Sequence, residues 1–145
     1  MALGLCGESS EVVETIERQD LVYLSAELKK DLSKELGDCL YYAIMIAMAH
    51  NYDFTPSEQK ESQVYELKEL PYLSGFVAEK YKKEIRKSAT VSTIDLKEPL
   101  QRYLNCLIFC CEQYSDGFLY VLQENQNKLN DRLSRNVLIG EGNNR

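Results

Sequence analysis

The chain has 145 residues, is 44% hydrophobic and 28% charged, and carries a formal net charge of -6. That length fits one ordinary domain, so we expect residues 1–145 to form a single unit. The acidic balance argues against generic nucleic-acid binding, and the absence of an apolar run near ~20 residues argues against a membrane span.

Apolar residues recur at helical spacing, and strand-like alternation is nearly absent, which predicts an all-α bundle of about four to six helices. The first predicted helix spans Leu3 to Asp20. The second spans Leu24 to Asn51, and its second half is apolar on nearly all sides, as expected for a helix in the middle of a bundle. The first ten residues lack the pattern of a secretory signal, which favours a cytoplasmic protein.

The segment at about 52–93 is richer in Glu, Lys, Ser and Tyr than its flanks. We predict one or two solvated helices here, with Ser57 to Leu70 and Leu73 to Lys87 as the candidates. The run KYKKEIRK is typical of a charged outer face, and docking of an anionic partner is the alternative interpretation.

The buried helical pattern resumes from Leu96 to Tyr114, and Asp116 is the predicted N-cap of a last helix that ends near Ser134. The closing GEGNNR is typical of a loop. Five cysteines without a regular framework indicate reduced thiols. A zinc site formed by Cys106, Cys110 and Cys111 lacks the usual ligand spacing and a nearby histidine, so we favour a packing role.

Two pairs of acidic residues suggest a metal site. Glu8 and Glu11 are three positions apart, as are Glu35 and Asp38, so each pair lies on one side of a helix. Each pair also borders the apolar stripe of its helix. Clustered carboxylates near a core must be protonated, paired with basic residues or bound to cations, and oxygen ligands favour Mg²⁺ or Mn²⁺. Either pair alone also occurs by chance in acidic helices.

A third group lies late in the chain. Asn125, Lys128 and Arg132 share one helical face, which is suited to contacting phosphate or sugar oxygens. Salt bridges with Glu124 or Asp131 on the helix surface are the alternative interpretation.

The segments GLCGESSEV, KELGDCLYY, ENQNKLNDR and GEGNNR occur in the order and spacing of the MazG-like nucleotide pyrophosphohydrolases, an all-α family that this chain resembles. The resemblance covers about 1–51 and 96–145, so the charged helical segment at about 52–93 is interpreted as an insertion. It implies a catalytic Mg²⁺ site formed by the four acids, Glu8, Glu11, Glu35 and Asp38. It also implies substrate contacts from Asn125, Lys128, Arg132 and Tyr42.

By this resemblance, we expect hydrolysis of an NTP or dNTP to the monophosphate and pyrophosphate, with Mg²⁺ or alternatively Mn²⁺ as the cofactor. The bundle is expected to be completed as a homodimer or homotetramer. Two alternatives stay open. One is a catalytically inactive interaction protein on the same fold, and the other is a related phosphoribosyl-nucleotide pyrophosphohydrolase.

Overall fold

The structure, a computed structural model, describes residues 1–18, 24–53, 66–87 and 94–135. Within these residues the chain forms helices and no strand, which confirms the all-α prediction. None of the described helices is long and apolar enough to cross a membrane. The five helices are α1 (Ala2–Glu17), α2 (Ala26–Ala49), α3 (Glu69–Arg86), α4 (Lys97–Tyr114) and α5 (Phe118–Ser134).

Helix α2 is central to the packing of the five helices. It contacts α1, α4 and α5, while α3 packs against α1 and α4. One cluster of buried apolar side chains has members in all five helices, including Val12, Leu36, Val77, Leu107 and Val121. The buried stripe of α2 lies in this cluster and holds the helix against α1, which positions both acid pairs.

The second half of α2 is apolar on several sides but is not buried on all of them. Ile44 and Met45 are 39% and 36% exposed, and Met48 is 68% exposed. The prediction of a central helix is confirmed by the contacts of α2 with α1, α4 and α5, and part of its apolar surface stays exposed in the structure of the single chain.

Two helix starts differ from the sequence prediction for local chemical reasons. Helix α2 begins at Ala26 because the Ser25 hydroxyl accepts a hydrogen bond of 3.1 Å from the Leu28 backbone N–H. Helix α3 begins at Glu69 and continues through Pro71. Proline is tolerated there because backbone N–H groups of the first helical turn have no partner within the helix.

The candidate helix start at Leu73 is therefore wrong, since Leu70 already belongs to α3. Most of the predicted helix from Ser57 to Leu70 lies outside the described residues, as do Asp20 and the closing GEGNNR.

Asp116 is not the N-cap of the last helix, which corrects the sequence prediction. Gly117 occupies the cap position with φ of 101°, in a region that favours glycine. The Phe118 backbone N–H instead donates to Oε1 of Glu112 at 2.9 Å. A carboxylate from the preceding helix thus replaces the expected cap, and Asp116 lies 3.9 Å from the Lys29 ammonium.

Two glycines of α1 differ in what surrounds them. A Cβ added at Gly4 would overlap the ring of Tyr42 from α2, whereas a Cβ added at Gly7 would meet nothing within 4 Å. Because Gly4 has no side chain, the Tyr42 ring of α2 can pack directly against α1 at this position.

We expect Gly4→Ala and Gly7→Ala to change stability in opposite directions. Gly7→Ala should raise the free energy of unfolding by about 0.5–1 kcal/mol, because alanine favours a helix interior over glycine. Gly4→Ala should lower it by about 1 kcal/mol, because the Tyr42 ring must move. Urea unfolding of the two variants measures both values, and equal stabilisation by both would contradict the close packing of Tyr42 on α1.

Candidate metal centre

Three glutamates from α1 and α2 converge at the contact between the two helices. One carboxylate oxygen each of Glu8, Glu11 and Glu35 lies within 4.8 Å of the other two. Glu8 and Glu35 are partly buried, and Glu11 is exposed to solvent. The spacing within each helix and the packing of α1 on α2 therefore produce a compact, solvent-accessible cluster of oxygen ligands, which we call the glutamate cluster.

Asp38 lies beside the glutamate cluster and is engaged by α5. The Lys128 ammonium is 2.5 Å from Oδ2 of Asp38, and the Asn125 amide donates to Oδ1 at 3.4 Å. Asp38 is close enough to Glu8 and Glu35 for its charge to raise the pKa of both. The structure thus brings all four predicted acids to one region, with Asp38 paired to a lysine at its edge.

Burial and like charges make the ionised cluster unfavourable. The pKa of Glu8 is raised to about 7, mainly by burial and then by the negative charges of Asp38, Glu11 and Glu35. The pKa of Glu35 is also raised, mainly by burial and then by the negative charges of Glu11 and Asp38. The positive charge of Lys128 lowers the pKa of both glutamates and so opposes these increases. The Glu8 carboxyl can therefore exchange its proton for a cation near neutral pH.

One buried oxygen of the cluster has no hydrogen-bond partner among the described residues. Oε2 of Glu35 is buried and has no hydrogen bond within the described part of the chain. An unpaired buried carboxylate oxygen is costly, and a cation between the glutamates would compensate it. The donors are all oxygen, which suits Mg²⁺ or Mn²⁺.

Helix α5 supplies the cationic and amide groups next to the acids. Asn125 is 8% exposed and fits against Gly37 of α2, where a Cβ would lie 3.1 Å from the Asn125 amide nitrogen. Lys128 follows one turn later and reaches Asp38. Arg132, a further turn along, is partly exposed, and no ion pair is recorded for it among residues 1–18, 24–53, 66–87 and 94–135. Two of the three predicted α5 residues thus contact the acid site.

Tyr42 lies at the Gly4 end of the site. Its ring packs against Gly4, one turn before Glu8 on α1, and meets Tyr41 edge to face with ring centroids 5.3 Å apart. Burial, then the charge of Glu8, raises the pKa of the Tyr42 hydroxyl. Tyr42, which the resemblance implies as a substrate contact, therefore lies close to Glu8, and the contact itself stays a prediction.

The sequence analysis missed a buried polar group behind the acids. Ser9, between Glu8 and Glu11, is 0% exposed and hydrogen-bonded to Tyr103 of α4 at 2.8 Å. The available signal was the position of Ser9, a polar residue on the apolar stripe between Leu5 and Val12. Its partner, Tyr103, is 94 residues away in the sequence, so the contact depends on how the helices pack and could not be predicted from local spacing.

Stability should depend on pH through Glu8 when no cation is bound. Since its pKa is higher in the folded state, the folded protein binds more protons than the unfolded one between about pH 4.5 and 7. The free energy of unfolding should therefore fall as pH rises through this range. Glu8→Gln should remove this contribution, so the variant melts at a higher temperature than the unmodified protein at pH 8 in chelator.

Addition of Mg²⁺ at pH 8 should raise the melting temperature of the unmodified protein, because a ligand that binds the folded state stabilises it. The increase should be smaller in Glu8→Gln. Glu14→Gln is the matched control, since Glu14 lies on the same helix but is exposed and paired with Arg18. An identical Mg²⁺ response in Glu8→Gln and Glu14→Gln would contradict a cation site at Glu8.

Comparison with known proteins places the acids within a recognised family. The MazG nucleotide pyrophosphohydrolase domain matches residues 1–62, a stretch that contains both acid pairs and Tyr42. The comparisons with curated proteins and with solved structures returned no match. The match confirms the resemblance inferred from the sequence over residues 1–62, and within the described residues the chain has the all-α architecture expected from that resemblance.

Proposed function

We propose that this protein hydrolyses a nucleoside triphosphate, NTP or dNTP, to the monophosphate and pyrophosphate in an Mg²⁺-dependent reaction. The MazG match supports a place among nucleotide pyrophosphohydrolases. The observation that carries the proposal is the glutamate cluster, whose three ligand oxygens lie within 4.8 Å of one another. Oε2 of Glu35 in this cluster is buried and has no hydrogen-bond partner among the described residues.

Glu8, Glu11 and Glu35 would hold the cation, with Asp38 as a fourth ligand at the edge of the cluster. When bound, a divalent cation would neutralise part of the phosphate charge and lower the pKa of the attacking water. Mn²⁺ satisfies the same oxygen donors. Without a cation between them, these acids would repel a triphosphate, so the charge of the cluster itself requires the metal.

Lys128 and Asn125 are the groups of this chain that can bind the substrate phosphates beside the acids. The Lys128 ammonium would stabilise negative charge on the departing pyrophosphate, and the Asn125 amide would orient a phosphate or sugar oxygen. Arg132, one turn beyond Lys128, would extend the cationic side toward the terminal phosphate. Tyr42 would contact the nucleoside at the opposite end of the site.

The reaction itself is a substitution at the α-phosphorus. The oxygen of water forms a new bond to this phosphorus, and the bond from phosphorus to the bridging oxygen breaks. Pyrophosphate leaves with that bridging oxygen, while the proton of the attacking water passes to a carboxylate of the site or to solvent. No further reactant is needed.

The free cysteines agree with a proposed location in the cytoplasm. All five are unpaired, and every one except Cys6 is buried. Burial raises the pKa of the Cys111 thiol, which keeps it protonated. We therefore assign the four buried cysteines to core packing in a reducing compartment.

Replacement of Glu35 tests the reaction. A screen of the common NTPs and dNTPs with Mg²⁺ should show pyrophosphate release by the unmodified protein for at least one of them. Glu35→Gln should lower that rate by at least about 100-fold, because charge stabilisation at the phosphates is lost. Its fold should persist, since the replaced Oε2 has no hydrogen bond in the described structure.

Glu27→Gln is the control for this experiment, because Glu27 is an exposed acid in the first turn of the same helix. It should keep the full rate. Unchanged turnover in Glu35→Gln would remove the glutamate cluster from the reaction. Nucleotide binding without pyrophosphate release by the unmodified protein would favour the inactive interaction protein.

We also propose self-association through the exposed apolar side of α2. Ile44, Met45 and Met48 lie close together on this helix and leave apolar surface in water. Met48→Glu should shift the molecular mass in sedimentation from a dimer or tetramer toward the monomer, because a buried unpaired charge is unfavourable at an interface. Met48→Leu should keep the assembly. A monomeric unmodified protein that retains activity would contradict the proposal.

A further inference from the structure

A fully buried polar cluster joins three helices directly behind the acids. It consists of Ser9 in α1, Cys39 in α2 and Tyr103 in α4, each 0% exposed. The Tyr103 and Ser9 hydroxyl oxygens are 2.8 Å apart, and Sγ of Cys39 is 3.8 Å from Oγ of Ser9. We call this group the Ser9 cluster. Ser9 directly follows Glu8 in the sequence, and Cys39 directly follows Asp38.

The hydrogen-bond directions in the Ser9 cluster follow from the valence of each group. The Ser9 hydroxyl donates to the Leu5 backbone carbonyl at 2.6 Å, because a carbonyl oxygen can only accept. Burial raises the pKa of the Cys39 thiol to about 12, and burial raises that of the Tyr103 hydroxyl well above its usual value. Both groups stay protonated. Because the Ser9 proton is directed to Leu5, Oγ of Ser9 accepts a hydrogen bond from the Tyr103 hydroxyl, and the Cys39 thiol lies beside the same oxygen.

This arrangement restrains the helices in a way that apolar contacts do not. Burial of apolar surface has no directional preference, whereas hydrogen bonds weaken when the donor turns away from the acceptor. Rotation of α1 about its axis would move Oγ of Ser9 away from Tyr103 and leave the buried Tyr103 hydroxyl without this acceptor, which is costly. The link from Tyr103 to Ser9 therefore selects one rotation of α1.

That rotation also determines where the acids point. Consecutive helical residues are about 100° apart around the axis, so the direction of Ser9 sets the directions of Glu8 and Glu11. These acids repel Glu35 and Asp38 across the contact with α2. The Ser9 cluster opposes this repulsion from the buried side of the same contact.

We propose that Tyr103 is a positioning residue whose hydroxyl, through Ser9, holds α1 in the rotation that turns Glu8 and Glu11 toward Glu35. Its function is to set the affinity of the glutamate cluster for a divalent cation. This inference rests on the proposed metal site. It assigns a role to a residue of α4, a helix that provides none of the predicted ligands.

The test compares Tyr103→Phe with Tyr81→Phe. Tyr81 is also buried, and its hydroxyl lies 2.5 Å from Nε2 of His50, at the end of α2 remote from Glu35. Mg²⁺ affinity is measured by titration calorimetry at pH 7.5 without nucleotide. Tyr103→Phe should weaken binding about ten-fold, at the lower end of the loss caused by removing groups that orient metal ligands. Tyr81→Phe should bind Mg²⁺ as tightly as the unmodified protein.

Equal Mg²⁺ affinity in Tyr103→Phe and the unmodified protein would overturn the role of Tyr103. Absence of Mg²⁺ binding by the unmodified protein would instead overturn the metal site of the proposed function. If Tyr103→Phe does not fold, Ser9→Ala tests the same link from α1, with the same expected loss and the same contradicting result.

A double variant tests whether Tyr103 acts through Ser9. Ser9→Ala combined with Tyr103→Phe should bind Mg²⁺ no more weakly than the weaker single variant, because either change alone removes the shared hydrogen bond. A loss equal to the product of the two single losses would overturn the route through Ser9.

Discussion

Repulsion among carboxylates at the contact of α1 and α2 is the constraint on which the rest of the site depends. Glu8, Glu11 and Glu35 each place an oxygen within 4.8 Å of the other two, while the apolar stripes of the same helices pack into one core. The core brings the helices together and the acids oppose this approach. A stable structure therefore needs protons, a lysine or a cation at this point, and the raised pKa of Glu8 reflects that need.

Helix α5 relieves part of this repulsion through Lys128, and the packing of Asn125 against Gly37 positions the helix for this contact. Asn125 fits against Gly37 because the glycine has no side chain, and Lys128 then reaches Asp38 one helical turn along α5. The ion pair is largely screened from water, since the side chains of Lys128 and Asp38 are 23% and 15% exposed. Neutralisation of Asp38 leaves the glutamates as the acids with the strongest remaining demand for a cation.

Regular spacing allowed most of this arrangement to be predicted from the sequence, and tertiary contacts account for the rest. The three-residue spacing of Glu8 and Glu11 predicted that both lie on one side of one helix, and the apolar stripes predicted that the acids border the core. Asp116 is a good capping residue locally, yet Glu112 of the preceding helix supplies the bond to the last helix. The partnership of Ser9 with Tyr103 has no local signature, because it depends on how α4 lies behind α1.

The contacts of Asp38 also connect the part of the chain matched to the family with the part that is not. The match ends at residue 62, whereas Asn125 and Lys128 contact an acid inside it. A short segment of two helices can carry the acids, but it cannot by itself neutralise Asp38 or bury Ser9 against α4. Helices α4 and α5 are therefore physically linked to the acids of α1 and α2, since Lys128 of α5 pairs with Asp38 and Tyr103 of α4 is hydrogen-bonded to Ser9, the neighbour of Glu8.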